Sequence, residues 1–456
     1  MCLEVKNIMN DTIAAISTAL GVGAISIIRV SGDKSIEIVN KIFDKDLEKV
    51  KSHTIVYGHI VDNENIIDEV LVSVMRSPKT FTTEDVIEIN CHGGIATTNK
   101  VLELLLKNGA RMAEAGEFTK RAFLNGRIDL LEAEGVMDLI DSKTEASRKL
   151  AMSALSGNVS SMISDLRNQM IEIITNIEVN IDYPEYEDIL VVTTDMINSS
   201  ITSLEDKLRK ILKEAENGKI IKNGINTLII GRPNVGKSSL LNKLLNEEKA
   251  IVTDIEGTTR DIVEGNISLD GIELNIIDTA GIRKTDNVVE QIGVNRSLSL
   301  IDKADLIILV LNNNEKLTEE DYKLLDSTKD RKRIIFINKN DLSKNIDLDS
   351  VDNVVYGSTM QTSGINALKD KIKELFNMEE IEKGDFNYLS NARHIATIHE
   401  CISVVESIKE GLKNGLPIDM LEIDIKKIWE LLGNLIGESY DEELLDNLFS
   451  RFCLGK

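Results

Sequence analysis

INTLIIGRPNVGKSSLLNKLLN occupies residues 225–246. Six residues dominated by Ile and Leu run into a glycine-bounded turn, and apolar residues at helical spacing follow. Strand, turn and helix in that order are the setting in which G-x-x-x-x-G-K-[ST] binds phosphate, and Gly231 to Ser238 match it at every fixed position. Glycines in such a loop let backbone N–H groups close around phosphate oxygens. Asn234, Val235, Gly236, Lys237, Ser238 and Ser239 are the expected contacts. Lys237 is expected to act in catalysis by reaching the β- and γ-phosphates, and the Ser238 hydroxyl to ligate Mg²⁺.

Three further motifs follow in order. TDIEGTT, comprising Thr253, Asp254, Ile255, Glu256, Gly257, Thr258 and Thr259, stands where a switch loop belongs, and Thr259 is the candidate for a second hydroxyl on Mg²⁺. DTAG (Asp278, Thr279, Ala280, Gly281) ends the apolar segment IELNIID; its carboxylate can reach Mg²⁺ through water and its last amide can sense the γ-phosphate. NKND supplies Asn338, Lys339 and Asp341. A buried Asp341 can accept from guanine N1–H and its exocyclic amine, a donor pair adenine lacks, and an unpaired buried carboxylate would disfavour ATP by a few kcal/mol. Ser358, Thr359 and Met360, in GSTMQ, can offer backbone N–H groups to guanine O6. Together these motifs specify GTP. Ile282 occupies the position after the DTAG glycine where many small GTPases carry a water-orienting glutamine, so hydrolysis needs another group; Glu290 is the candidate.

Composition limits the alternatives. At 456 residues, two or three domains are expected. The longest apolar run, Leu306 to Leu311, falls far short of the ~18 residues of a membrane span, and the N-terminus lacks the basic-then-apolar order of a secretory signal. Four scattered cysteines without C-x-x-C spacing argue against disulfides and zinc, and point to a reduced, cytoplasmic protein. A formal net charge of -23 opposes general nucleic-acid binding while leaving room for a local basic patch.

Short segments rich in Ile and Val over residues 12–91 predict an α+β region, with a helix over 95–107. From Phe118 to about Gly218 the periodicity is helical, with a stop at Asn217-Gly218 and an acidic turn at 182–188. Residues 219 to about 378 alternate strand and helix, predicting a parallel sheet. Helices return from Asn391 to the end. The economical fold class is multidomain α/β and α: an N-terminal α+β domain, then a helical domain interrupted by an inserted Ras-like P-loop α/β domain.

With these motifs in hand, the chain resembles the MnmE/TrmE family of tRNA modification GTPases along essentially its whole length. The resemblance rests on NDTIAAIST, GAISIIRVSG, EDVIEINCHGG, GEFTKRAFLNGRIDLLEAEGVMDLI, AIVTDIEGTTRD, IDTAGIR and the terminal FCLGK, which occur in family order. The resemblance implies a tetrahydrofolate-binding and dimerisation domain at 1–118, a helical domain at 119–218 and 381–456, and a G domain at 219–380. It implies a homodimer that joins an FAD-dependent partner subunit in a heterotetramer or larger complex. That complex modifies C5 of the wobble uridine in certain tRNAs, using GTP, Mg²⁺, K⁺ and a 5,10-methylene- or 5-formyl-tetrahydrofolate, to give an aminomethyl or carboxymethylaminomethyl group. By the same resemblance, Asn234 ligates K⁺ by its side-chain oxygen, and Thr253, Ile255 and Thr258 through backbone oxygens. Glu290 falls on the family's water-orienting glutamate. Arg29, Glu88, Arg127 and Lys456 fall on its folate contacts. The chain departs from the family where STALGVG lacks two prolines and where Ala115 stands in EAGEF. Met9 offers an alternative start.

A competing reading, a GTPase switch in ribosome assembly, shares the G motifs. It predicts a strongly basic appendage that the charge does not show, and it leaves CHGG and the tail without a role. Thr119–Arg121 and Arg148-Lys149 read as solvated helix faces, and Trp429 as core. The terminal CLGK fails as a prenylation box because Gly455 is not aliphatic and no polybasic run precedes it. The tail is instead expected to bring Cys453, in an accessory role, and Lys456 to the folate pocket, with Gly455 allowing close approach.

Overall fold

The computed structural model describes residues 11–182, 194–247, 263–277, 300–348, 351–378, 389–438 and 442–456. The chain forms two compact units. The first comprises Met1–Met137, Ser160–Glu172 and Lys426–Lys456; the second comprises Asp138–Val159 and Ile173–Ile425.

The first unit is built on strands β1 (Ile13–Ile16), β2 (Ile25–Ser31), β3 (Thr54–Asp62), β4 (Asn65–Met75), β5 (Val86–His92) and β6 (Arg111–Met112). They pair in the order β3-β4-β5-β2-β1-β6, antiparallel except for β1 with β6. Alternation decides the faces. Ile28 and Val30 of β2, Val70, Val72 and Val74 of β4, and Ile87 and Ile89 of β5 bury against the helices Ser35–Asn40 and Ile95–Lys107. The intervening residues, Ile25 and Arg29 on β2 and Glu88 and Asn90 on β5, point to the other face.

The second unit contains β7 (Ile225–Ile230), β8 (Val263–Leu269), β9 (Ile272–Ile277), β10 (Leu306–Asn312), β11 (Arg333–Asn338) and β12 (Val354–Tyr356), ordered β12-β11-β10-β7-β9-β8. All neighbours are parallel except β8 with β9. Strand β10 is buried at every position, as a run covered on both faces requires. Sequence reading missed β8, because VEGNISL carries no β-branched run. Its signal lay in the turn: Asp270-Gly271 joins β8 to β9 as a hairpin.

The predicted helix stop at Asn217-Gly218 is overrun: the helix spans Thr194–Asn223 and Gly218 is buried within it. Beyond Gly218 the apolar face continues, and Ile220 and Ile221 pack into the core under β7 and β9. Tertiary burial outweighs the ~1 kcal/mol that a mid-helix glycine costs. The acidic turn at 183–188 lies outside the described residues. Trp429 is half-buried rather than core, lying under the Arg167 guanidinium at 4.3 Å from the ring centroid.

The solvated reading of Thr119–Arg121 also fails. Thr119 and Arg121 are both 0% exposed, on the helix Glu117–Leu124. Arg121 pairs with Asp11 (2.7 Å), Glu117 (2.9 Å) and Glu84 (3.1 Å). Burial pushes the Glu84 carboxyl up, against Ser31 and Arg121. Burial pushes Glu117 up as well, but Arg111, the Glu114 backbone N–H and Arg121 outweigh it and hold that carboxyl below its usual value. A short helix that must bury its charged face needs this set of partners, and two of them, Asp11 and Glu84, come from distant segments that periodicity cannot see.

Candidate functional site

In the second unit the phosphate loop leaves the end of β7 and enters the helix Lys237–Glu247. The Lys237 ammonium donates to Gly231 O and Arg232 O, each at 2.7 Å. Ser238 stands in the first helical turn, where the helix dipole favours anions. Gly236 has φ 106°, and a Cβ there would lie 2.1 Å from Asn338 Nδ2, so only glycine fits. Asn234 is exposed, with φ 62°.

Asn338, at the end of β11, is 1% exposed and joins three motifs. Its Nδ2 donates to Val235 O at 2.8 Å, and its Oδ1 accepts from Thr359 N at 3.0 Å. Lys339 donates to Asn234 O at 3.2 Å. Asn340 N donates to Gly357 O, and Ser358 Oγ accepts from Met360 N at 3.2 Å. The predicted phosphate, guanine-edge and O6 segments thus lie together at the carboxyl ends of parallel strands, where open α/β sheets bind ligands. Asp341 differs from expectation: it is exposed, not buried. The protein alone does not desolvate its carboxylate. A bound base would have to cover it before its selectivity is felt. Thr253–Thr259, Asp278–Gly281 and Glu290 lie outside the described residues.

In the first unit, Arg29 and Glu88 are direct cross-strand partners of β2 and β5. The Arg29 fork closes on Glu88 Oε1 from Nε (2.9 Å) and Nη2 (2.8 Å). Its guanidinium lies 5.6 Å from the centroid of Phe118. The chain terminus arrives on the same arginine. Gly455 O accepts from Ser17 Oγ at 3.0 Å and from Arg29 Nη1 at 3.5 Å. Phe118 N donates to Lys456 O at 3.2 Å, and Ala115 forms an isolated bridge with Leu454. Gly455 is held at φ 87°, with its Cα so close to β1 that a Cβ would meet Ile16 O at 2.4 Å. Burial, and then the neighbouring Arg29, hold the Lys456 ammonium below the usual lysine range. A cation held in that way gains from an anionic ligand.

The structure therefore brings Arg29, Glu88 and Lys456 together. Arg127 is placed differently, stacked at 5.1 Å from the Phe81 centroid and lining an open cavity of about 450 Å³ with Phe123, Glu132 and Gly437. Cys453 is an exposed free thiol. The outer face around Arg29 also exposes large apolar side chains: Ile25 (63%), Ile55 (64%) and Leu71 (47%). His92, at the end of β5, is oriented by Asp68 through Nδ1 at 2.6 Å, and that bond first of all raises its pKa. Cys91 beside it is buried, and burial raises its thiol. Among the described residues no helix is long and apolar enough to cross a membrane.

Comparison with known proteins finds relatives along nearly the whole chain. The profile described as MnmE helical domain matches residues 130–453, and that described as GTP-binding protein TrmE N-terminus matches residues 12–127. A tRNA modification GTPase MnmE of Streptococcus thermophilus is 53% identical over 98% of this chain and 98% of its own. The proteins of the same name from Streptococcus mutans and Bacillus subtilis are 52% and 50% identical, over 98% of this chain and 99% and 100% of their own. With one profile spanning more than half of its length and relatives of this identity over nearly all of it, the chain belongs to the MnmE/TrmE family of tRNA modification GTPases.

Proposed function

We propose that this chain is a K⁺-dependent, GTP-hydrolysing enzyme of tRNA modification. Acting with an FAD-dependent partner subunit, it adds an aminomethyl or carboxymethylaminomethyl group at C5 of the wobble uridine of certain tRNAs. The observation that carries this reading is the Arg29–Glu88 pair with the chain terminus docked on it, in a chain that also assembles a complete phosphate loop. A GTPase acting as a bare switch has no use for the first.

At the nucleotide site, Lys237 would leave its two carbonyls for the phosphates, and Ser238 with Thr259 would ligate Mg²⁺. Backbone donors from Asn234 to Ser239 would surround the phosphate oxygens, and residues 278–281 would sense the γ-phosphate. Asn338, Lys339 and Asp341 would fix guanine, with residues 358–360 at O6. The exposed, left-handed Asn234 suits a K⁺ ligand, joined by backbone oxygens of Thr253, Ile255 and Thr258. K⁺ would supply positive charge between the β- and γ-phosphates, and Glu290 would orient water.

On the first unit, Glu88 can accept from the donor edge of a pterin ring. Arg29 and Lys456 can pair with carboxylates of a tetrahydrofolate, in its 5,10-methylene or 5-formyl form. Arg127 would serve a more distant part of that ligand, and Cys453 an accessory role. A sheet face bearing Ile25, Ile55 and Leu71 beside this cluster suits a homodimer contact. The proposed domains are 1–118 for folate and dimerisation, 119–218 with 381–456 as the helical part, and 219–380 for GTP. The test is mass spectrometry of wobble nucleosides after depletion of this chain. Loss of the C5-modified nucleosides is expected, and their persistence would refute the assignment.

A further inference from the structure

The phosphate loop carries positive-φ backbone at Asn234 (62°) and Gly236 (106°). Glycine adopts such a conformation freely, but a non-glycine residue such as Asn234 keeps it where the surroundings impose it. The second half of the loop is held by the guanine motif, through Asn338 to Val235 O and Lys339 to Asn234 O. The first half is held by different means. The Arg232 guanidinium reaches two carboxylates that follow β10: Nε donates to Asp321 at 2.8 Å, and Nη2 to Glu315 at 3.2 Å. Neither carboxylate belongs to a nucleotide-binding motif.

Asp321 has a side chain only 1% exposed. It also accepts from Thr318 N and Thr318 Oγ1, each at 2.9 Å, closing the capping box of the helix Glu319–Ser327. Glu315 is set in turn by Asn312 Nδ2, at 2.7 Å from the last residue of β10. This is a built anchor, with one carboxylate buried and the other partly open. Its consequence for the site is direct. Arg232 O and Gly231 O both accept from the Lys237 ammonium, so holding residue 232 helps set where the phosphate-binding lysine waits.

We propose that Asp321 is a positioning residue for nucleotide binding, acting through Arg232 to hold the first half of the phosphate loop in its binding conformation. A loop that is competent only part of the time binds more weakly by that fraction. GDP and GTP need the same loop, so the anchor acts on both alike. It touches no reacting atom, so it leaves turnover at saturation alone.

The test uses the full chain, with titration of a fluorescent GDP and steady-state GTP hydrolysis. Asp321→Asn is expected to raise the Kd for GDP and the KM for GTP about tenfold, with kcat within about twofold of wild type. Thr318→Ala breaks the capping box and leaves the ion pair; it should lower the melting temperature and leave Kd unchanged. Glu315→Gln, at the open end of the anchor, should raise Kd about two- to threefold and serves if Asp321→Asn does not fold. Wild-type GDP affinity in folded Asp321→Asn would overturn the proposal. So would an equal loss of affinity in Thr318→Ala, since affinity would then merely follow helix stability. If Asp321→Asn cannot be obtained folded, wild-type affinity in Glu315→Gln is the overturning result.

Discussion

The nucleotide site and the Arg29 face are positioned by opposite means. Between Gly231 and Ser239 the groups that would touch a phosphate are mostly backbone, and left-handed dihedrals aim them. On the outer face of the first sheet the groups are side chains, brought from β2, β5 and the last residue of the chain, and ion pairs and a threaded terminus aim them. The first kind of site is vulnerable to a single added methyl group at Gly236. The second depends on the charges of Arg29, Glu88 and Lys456 and on the close seat of Gly455 against β1.

The largest effect should come from the terminus. Deleting residues 453–456 removes Lys456, Gly455 O and the acceptor for Phe118 N. Wobble modification should fall at least about 100-fold, measured on purified complex, with GTP turnover nearly intact. Loss of both would mean that the tail serves the fold generally, and the contrast between the two sites would collapse. Gly236→Ala is the converse break. Its Cβ meets Asn338 Nδ2 on positive-φ backbone, and a strain of about 3 kcal/mol would weaken GDP binding roughly 100-fold by titration. Glu88→Gln leaves Arg29 without its carboxylate, and binding of a reduced folate should weaken about 30-fold by calorimetry while GDP affinity stays unchanged.

What sequence could foretell follows the same division. The loop, β7, β11 and NKND were legible because their chemistry lies in contiguous residues of fixed spacing. Arg29, Glu88 and Lys456 carried no local sign, and only family resemblance singled them out. β8 is not legible in its own residues because its information sits in the Asp270-Gly271 turn. Gly218 read as a stop because helical propensity does not know that Ile220 and Ile221 bury. Arg121 read as solvated because its partners Asp11 and Glu84 are remote in sequence. Asp321 gave no hint of its hold on Arg232 for the same reason.

The smallest of these effects concerns that buried network and is read as stability. The Glu117 carboxyl is held below its ordinary value, so its contribution is present at neutral pH and fades as pH falls through its folded pKa. Glu117→Gln should cost about 1.5 kcal/mol in urea denaturation at neutral pH. The gap from wild type should close on acidification through the carboxylate range. A gap independent of pH would mean that packing, not charge, holds the helix Glu117–Leu124.

The two-site account is tested most directly by mass spectrometry of wobble uridines in cells whose only copy of this chain carries Glu88→Gln, alongside GTP turnover of the purified variant. The account predicts wild-type hydrolysis and loss of the C5-modified nucleoside. Full modification in those cells would contradict it.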